Sequence, residues 1–406
     1  MPVTSSRLRS HRAIPGMVRG PATILAVVAL VLTMAGAAGA RAHFDYRKAH
    51  RYAAGAYPSA VAVADFNQDG IPDLVVARDL SSSVAVLLGK GNGRFKRARQ
   101  WATQPNGNPE AVAVGDLNGD GVPDIVATDS DGSSLMVLIG KGNGRFRPAV
   151  KEYVGWIPRG VVVADFDHDG HADIATADEQ DDEVSLLNGT GCGWTNSPDT
   201  CGSTPAFEPV ESFPLPKRAE PGAIAAGNLN GDRLPDLAVA DQKGNAISLL
   251  RNNGGDGAQA FDPAVTVSTG PHTHPSHVAI ADLNRDGHPD VVTTGATDGI
   301  HVLLHAGRFS PDIRVKTVAK SHPTNGLAVG RLDKDKWPDV VIGTPYSQLW
   351  IYRGTGTSSL LAKAAEIQAR AAGITAAAIA NVDHHGRPDL VGLEPRAGNV
   401  EVLLAR

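Results

Sequence analysis

Little cysteine, few aromatics and a single long apolar run set the first limits on this chain. Two cysteines in 406 residues exclude a small disulfide-stapled scaffold. No CxxC pair and no partnering His pair is present to make a zinc site. Aromatic residues make up 5% of the chain, which argues against the stacking platforms that hold single-stranded nucleic acid. No acid occurs before Asp45, yet the rest of the chain carries 33 Lys and Arg against 43 Asp and Glu. A surface of that sign repels a phosphate backbone and favours cations, so no nucleic-acid partner is expected.

The apolar run covers residues 22–36 and follows Arg7, Arg9, Arg12 and Arg19. Fifteen residues fall short of the roughly 20 that span a bilayer, but they suit a signal-peptide core. Ala38-Gly39-Ala40 and Ala40-Arg41-Ala42 then offer small-x-small cleavage patterns. The expectation is a cleaved signal peptide at 1–42 and an exported, monomeric protein at 43–406 with no membrane span; a retained anchor is the alternative. Cys192 and Cys201 lie nine positions apart in a Gly/Ser/Thr/Pro-rich stretch. A local disulfide is expected there, contributing roughly 2–3 kcal/mol on the chain-entropy view.

One segment recurs seven times. It reads ADFNQDGIPDLVVA from Ala64, GDLNGDGVPDIVAT from Gly115, ADFDHDGHADIATA from Ala164 and GNLNGDRLPDLAVA from Gly227. ADLNRDGHPDVVTT from Ala281, GRLDKDKWPDVVIG from Gly330 and ANVDHHGRPDLVGL from Ala380 complete the set. Successive copies are 51, 49, 63, 54, 49 and 50 residues apart, and the long third interval holds the cysteine stretch. Around each copy lie short β-branched runs separated by turn residues, such as PSAVAVAD from Pro58, DLVVA from Asp73 and SVAVLLG from Ser83. A Gly-rich turn and a weaker fourth run finish the unit.

Four antiparallel strands in about 50 residues is the measure of a propeller blade. The fold class expected is all-β, a seven-bladed β-propeller of four-stranded antiparallel blades. The chain stops after the third strand of repeat seven, while FDYRKAHRYAAG from Phe44 matches the fourth run of other repeats. The N-terminal strand is therefore expected to complete the last blade and close the ring, removing both open sheet edges. The Ala-rich LAKAAEIQARAA from Leu361 has helical propensity, and tertiary context is expected to override it.

Chemistry concentrates in the acidic loop. Asp65, Asn67, Asp69 and Asp73 stand at loop positions 1, 3, 5 and 9, with Gly70 at position 6. Alternate oxygens on a tight turn converge on one point, and the main-chain carbonyl of Ile71 adds to them; a hard oxygen-seeking cation such as calcium fits. Positions 12 lack the bidentate Glu of an EF-hand, and the flanks are strands.

Complete sets recur as Asp116, Asn118, Asp120, Val122 and Asp124; as Asp165, Asp167, Asp169, His171 and Asp173; and as Asp282, Asn284, Asp286, His288 and Asp290. About four Ca2+ sites are expected. The loops at Asn228, Arg331 and Asn381 are degenerate: Arg233 replaces the glycine, Arg331 and Lys336 would repel a cation, and His385 softens the seventh. The competing reading is that these Asp and Asn residues only make side-chain turns with backbone amides.

The pattern D-x-[DN]-x-DG-x-P-D, with VLLG-x-G-x-G-x-F after it, resembles the FG-GAP or VCBS-type repeat of integrin α-subunit N-terminal propellers and of secreted microbial proteins. The resemblance spans the mature chain. It implies a seven-bladed propeller with calcium in hairpin loops on one face. Some relatives are lectins and others polysaccharide lyases; no residues here match their sites.

Two further motifs carry less. GKGNGRF from Gly89 and Gly140 reads as a hairpin turn, because no GK[ST] follows and no helix begins. His272, His274 and His277 read as a polar inter-blade loop in preference to a transition-metal site. The function expected is a secreted calcium-binding module without catalysis, with a glycan or protein ligand. Loops opposite the acidic hairpins, bearing Tyr57, Trp156 and Tyr346, are free to hold it. The alternative is an extracellular polysaccharide lyase or hydrolase.

Overall fold

The computed structural model describes residues 44–406, apart from 48–49, 105–106, 193–205, 256–259, 296, 298, 306, 320–322, 347, 358, 369–373 and 375–376. The expected signal segment at 1–42 lies outside the described residues, as does Cys201 and with it the expected disulfide. Among the described residues there are 28 strands and no helix, arranged as seven four-stranded antiparallel sheets.

Blade one sets the pattern. Its strands are β2 (Pro58–Ala64), β3 (Asp73–Arg78), β4 (Ser83–Leu87) and β5 (Arg99–Ala102), paired in that order. The two middle strands are buried along their whole length, whereas β5 is largely exposed. That burial explains the continuous apolar runs DLVVA and SVAVL: both faces of a middle strand pack against neighbouring blades, so no polar face is needed.

The packing units are the spaces between blades. Seven clusters of buried residues fill seven such spaces. Blades one and two share Val75, Val84, Ile125 and Leu138, and the other pairs follow suit. The last space joins blade seven to blade one through Leu74, Val76, Val391 and Val402.

Closure takes the expected form. Blade seven consists of β26 (Ala377–Ala380), β27 (Asp389–Glu394), β28 (Asn399–Leu403) and, outermost, β1 (His50–Ala53). His50 faces Val402 and Ala53 faces Asn399 across the seam. Arg51 reaches across it to the buried Glu394, its Nη2 lying 2.8 Å from Oε1. The Ala-rich segment is a strand, β25 (Leu361–Gln368), paired with β24 (Gln348–Gly354).

The GKGNGRF turns are hairpins: Gly89 bridges Phe95 and Gly140 bridges Phe146. Because each blade is antiparallel, its acidic loop and this turn emerge at one end. The loops between second and third strands, and those leading into the next blade, emerge at the other.

Candidate metal centre

Position 9 opens the second strand of every blade, and all seven of its aspartates are fully buried: Asp73, Asp124, Asp173, Asp236, Asp290, Asp339 and Asp389. Each carboxylate spans two hairpins. In blade one, Asp73 Oδ2 accepts the Phe66 N–H at 3.0 Å and Oδ1 accepts the Gly89 N–H at 2.6 Å. Blade six repeats this through Leu332 and Gly354, and blade seven through Val382 and Ala405. The sequence reading took position 9 only as a ligand and missed this tie. The signal was present, since position 9 stays Asp in the copies that lose other loop residues.

Burial first, and then the charges of Asp120 and Asp116, push the Asp124 carboxyl up to about 7 against the pull of its two backbone donors. In blade three the same balance, with Asp167 and Asp165 as the neighbouring charges, pushes Asp173 to about 8.

Positions 1, 3 and 5 curl the loop. Asp65 accepts the Asp69 N–H at 3.1 Å and the Gly70 N–H at 2.7 Å, while Asn67 Oδ1 accepts the Asp69 N–H at 2.9 Å. Blades two and five repeat these bonds. The side-chain turns of the competing reading are therefore present. They do not exhaust the oxygens, because a carboxylate offers about four lone-pair sites. At position 7, the N–H groups of Ile71, Val122, His171 and His288 each donate to the position-5 carboxylate.

Position 6 takes a left-handed backbone in every blade but the sixth, where Lys336 stands. Gly70 has φ 79° with nothing within 4 Å of where a Cβ would sit, so the demand is conformational and not steric. Arg233 holds φ 82° at this position in blade four, a strained conformation for a residue with a Cβ. Position 4 is left-handed too, at Gln68, His168, Arg285 and His384, which the sequence reading did not foresee.

Blade three differs from its neighbours. Asp165 Oδ2 accepts the Gly170 N–H at 3.2 Å, but its Oδ1 is buried without a hydrogen-bond partner among the described residues. Among the described residues, only Asp165, Asp167 and Asp173 form a group with one ligand oxygen each within 4.8 Å of one another. Burial, opposed by the Asp169 N–H and reinforced by the charges of Asp169 and Asp165, raises the Asp167 carboxyl. Converging carboxylates with an unsatisfied buried oxygen fit a hard divalent cation.

The degenerate loops compensate from within. Asn228 Oδ1 accepts the Gly231 N–H, and Asn230 Nδ2 donates to Asp232. In blade six the Arg353 guanidinium donates to Asp333 at 3.0 Å and to Asp335 at 2.8 Å. The sequence reading missed Arg353; its signal was an Arg directly before Gly354, where blades one and two carry Leu88 and Ile139. In blade seven His385 Nδ1 lies 3.1 Å from Asp383.

The histidines of the blade-five entry loop turn to different partners, His274 Nδ1 to the Gln242 carbonyl and His277 Nδ1 to Ser276 Oγ. At the end of the ring away from the acidic loops, Tyr57, Trp156 and Tyr346 are 53%, 59% and 61% exposed.

A family model described as FG-GAP-like repeat matches residues 65–127, 116–176, 228–293 and 331–392, together more than half of the chain. No curated protein matches the sequence. Among solved structures, BBS1N in complex with ARL6DN has a TM-score of 0.59 at 13% identity, with 89% of this chain and 97% of that one covered. A streptogramin B lyase gives 0.58 at 13% identity, covering 88% and 98%. Virginiamycin B lyase from Staphylococcus aureus gives 0.56 at 10% identity, covering 89% and 100%. Identities this low carry likeness of fold alone. With four matched segments laid over successive propeller blades, the chain belongs to the FG-GAP-like repeat family.

Proposed function

We propose that this protein is an exported, calcium-binding propeller that acts as a non-catalytic binding module. The observation that carries the reading is the convergence of Asp165, Asp167 and Asp173 around a buried oxygen that no described residue satisfies. Asp165, Asp167, Asp169, Asp173 and the carbonyl of His171 would hold the ion in blade three; the matching residues of blades one, two and five would do so in theirs. Calcium, when bound, supplies the positive charge that offsets these crowded carboxylates. The loop itself orients the oxygens through its amide bonds, and the position-9 aspartate anchors them to the blade.

Exposure of Tyr57, Trp156 and Tyr346 at the opposite end supports a glycan or protein ligand there, since exposed aromatic rings give large contact area at little entropic cost. A monomer is proposed, each ring complete in itself.

Millimolar calcium should raise the melting midpoint, and a chelator should lower it, because extracellular modules bind at about 10⁻⁴–10⁻³ M. Asp165→Asn with Asp167→Asn should remove one site from a calorimetric calcium titration. An unchanged midpoint and a flat titration would sink the metal reading. Turnover of an acidic polysaccharide, abolished by a single substitution outside the acidic loops, would replace the module with an enzyme.

A further inference from the structure

Blades six and seven depart furthest from the acidic pattern, and they depart in one direction. Arg331, Lys334 and Lys336 enter the blade-six loop; His384, His385 and Arg387 enter that of blade seven. Acids that remain are engaged internally, Asp333 and Asp335 by Arg353 and Asp383 by His385. Between the two loops lies a depression of about 400 Å³ walled by Arg47, Lys334, His385, Arg387 and Arg406, with no acidic side chain in its lining. Asp45 lies alongside, 3.4 Å from Arg406. Arg47, Lys334 and Arg387 make no ion pair with any carboxylate among the described residues.

The fold itself assembles this wall. Tyr46 bridges Ala405, Arg47 N–H donates to the Leu404 carbonyl at 2.7 Å, and Arg406 N–H donates to the Asp45 carbonyl at 2.9 Å. The seal of the ring thus sets Arg47 beside Arg406. Lys334 stands at the loop position whose side chain, in blades one and three, leans on the position-6 carbonyl of the next loop. Gln68 Nε2 donates to the Gly121 carbonyl at 3.1 Å, and His168 Nε2 lies 3.0 Å from the Arg233 carbonyl. Lys334 holds position 4, and Gly386, at position 6 of blade seven, lines the same depression. Arg387 is half-buried at its wall.

Of the three guanidinium groups and one ammonium around this small space, Arg406 has Asp45 beside it; Arg47, Arg387 and Lys334 repel each other uncompensated, and a multiply charged oxyanion relieves that repulsion. Guanidinium forks match two oxygens of such a group at once. We propose that this depression is a binding site for a phosphate or sulfate group, free or carried on a saccharide. Two loops that lack the full cation-ligand set thereby serve a ligand of opposite charge.

The test is calorimetric titration of the full chain with inorganic phosphate, inorganic sulfate and N-acetylglucosamine 6-sulfate, at constant ionic strength set with chloride. Saturable binding near one equivalent is expected, weakened about tenfold or more by Arg387→Gln and by Lys334→Gln, since each removes a charged donor to the anion. Lys96→Gln with Arg97→Gln, in an exposed basic stretch of blade one, should leave it within about twofold. Tighter binding of the free ions would mark a free-anion site, and tighter binding of the sulfated sugar a glycan site; both support the proposal. Absence of saturation beyond chloride, indifference to both pocket variants, or equal loss in the blade-one variant would overturn it. Should Arg387→Gln fail to fold by circular dichroism, the exposed Lys334→Gln decides alone.

Discussion

At the scale of single residues, the acidic motif holds two jobs that share one spacing. Positions 1, 3 and 5 belong to the loop, and position 9 belongs to the blade. Blade six separates them, because its Arg353 engages the loop acids while Asp339 still ties Leu332 to Gly354. Asp339→Ala strands two buried donors and should cost about 2–5 kcal/mol. Urea unfolding of the variant in chelator checks this, and a loss below about 1 kcal/mol would refute the tie.

A second buried acid offers a pH test away from the loops. Asp241, at the far end of the second strand of blade four, accepts a bond from Ser248 at 2.7 Å on Oδ2, while its Oδ1 has no partner among the described residues. Burial, with Asp182 adding and Ser248 opposing, pushes its carboxyl from 3.8 up to about 7. Between about pH 4 and pH 7 the folded chain holds a proton that the unfolded chain has released. Stability should therefore fall as pH rises through that window, by up to about 1.4 kcal/mol per unit from this group. In Asp241→Asn that decline should shrink, and thermal melts at pH 5 and pH 8 compare the two. An identical decline in the variant would assign it to other groups.

At the scale of elements, apolar runs and turn residues marked most strands, because middle strands buried on both faces must be continuously apolar. The outermost strands were harder to read: more exposed and, outside blades five and six, only four residues long, they carry little pattern. β25 shows why context prevails over propensity. Its Ala and Glu residues favour a helix alone, but Leu361 is buried, Leu349 pairs with Ile367, and Lys363 Nζ lies 3.6 Å above the Trp350 ring. Ala362→Thr, at an exposed site facing Arg353 in that ladder, should raise stability by up to about 1 kcal/mol. Denaturant midpoints test it; a drop would indicate that the segment is held by something other than strand pairing. Loop conformation was the least legible level, since left-handed position 4 is filled by Gln, His and Arg, which announce no turn.

For the whole molecule, seven repeats and one missing strand sufficed to read a sealed ring, and the seam is where it can be tested. Removing residues up to Ala53 should leave the outer edge of β28 unpaired and the chain associating or melting well below the full protein, as sizing chromatography and thermal melts will report. Adding back a peptide of residues 44–57 should restore the monomer. A truncated chain that stays monomeric with an unchanged midpoint would show that the seam contributes nothing.

The seam also imposes a timetable. Arg51 and its partner Glu394 stand 343 positions apart, so the earliest strand to be synthesised has its mate made last. At about 5–20 residues per second, roughly 20–70 s separate their births. Throughout that delay the nascent polypeptide displays one unmated border, and anything that chaperones this protein during manufacture has that border to guard.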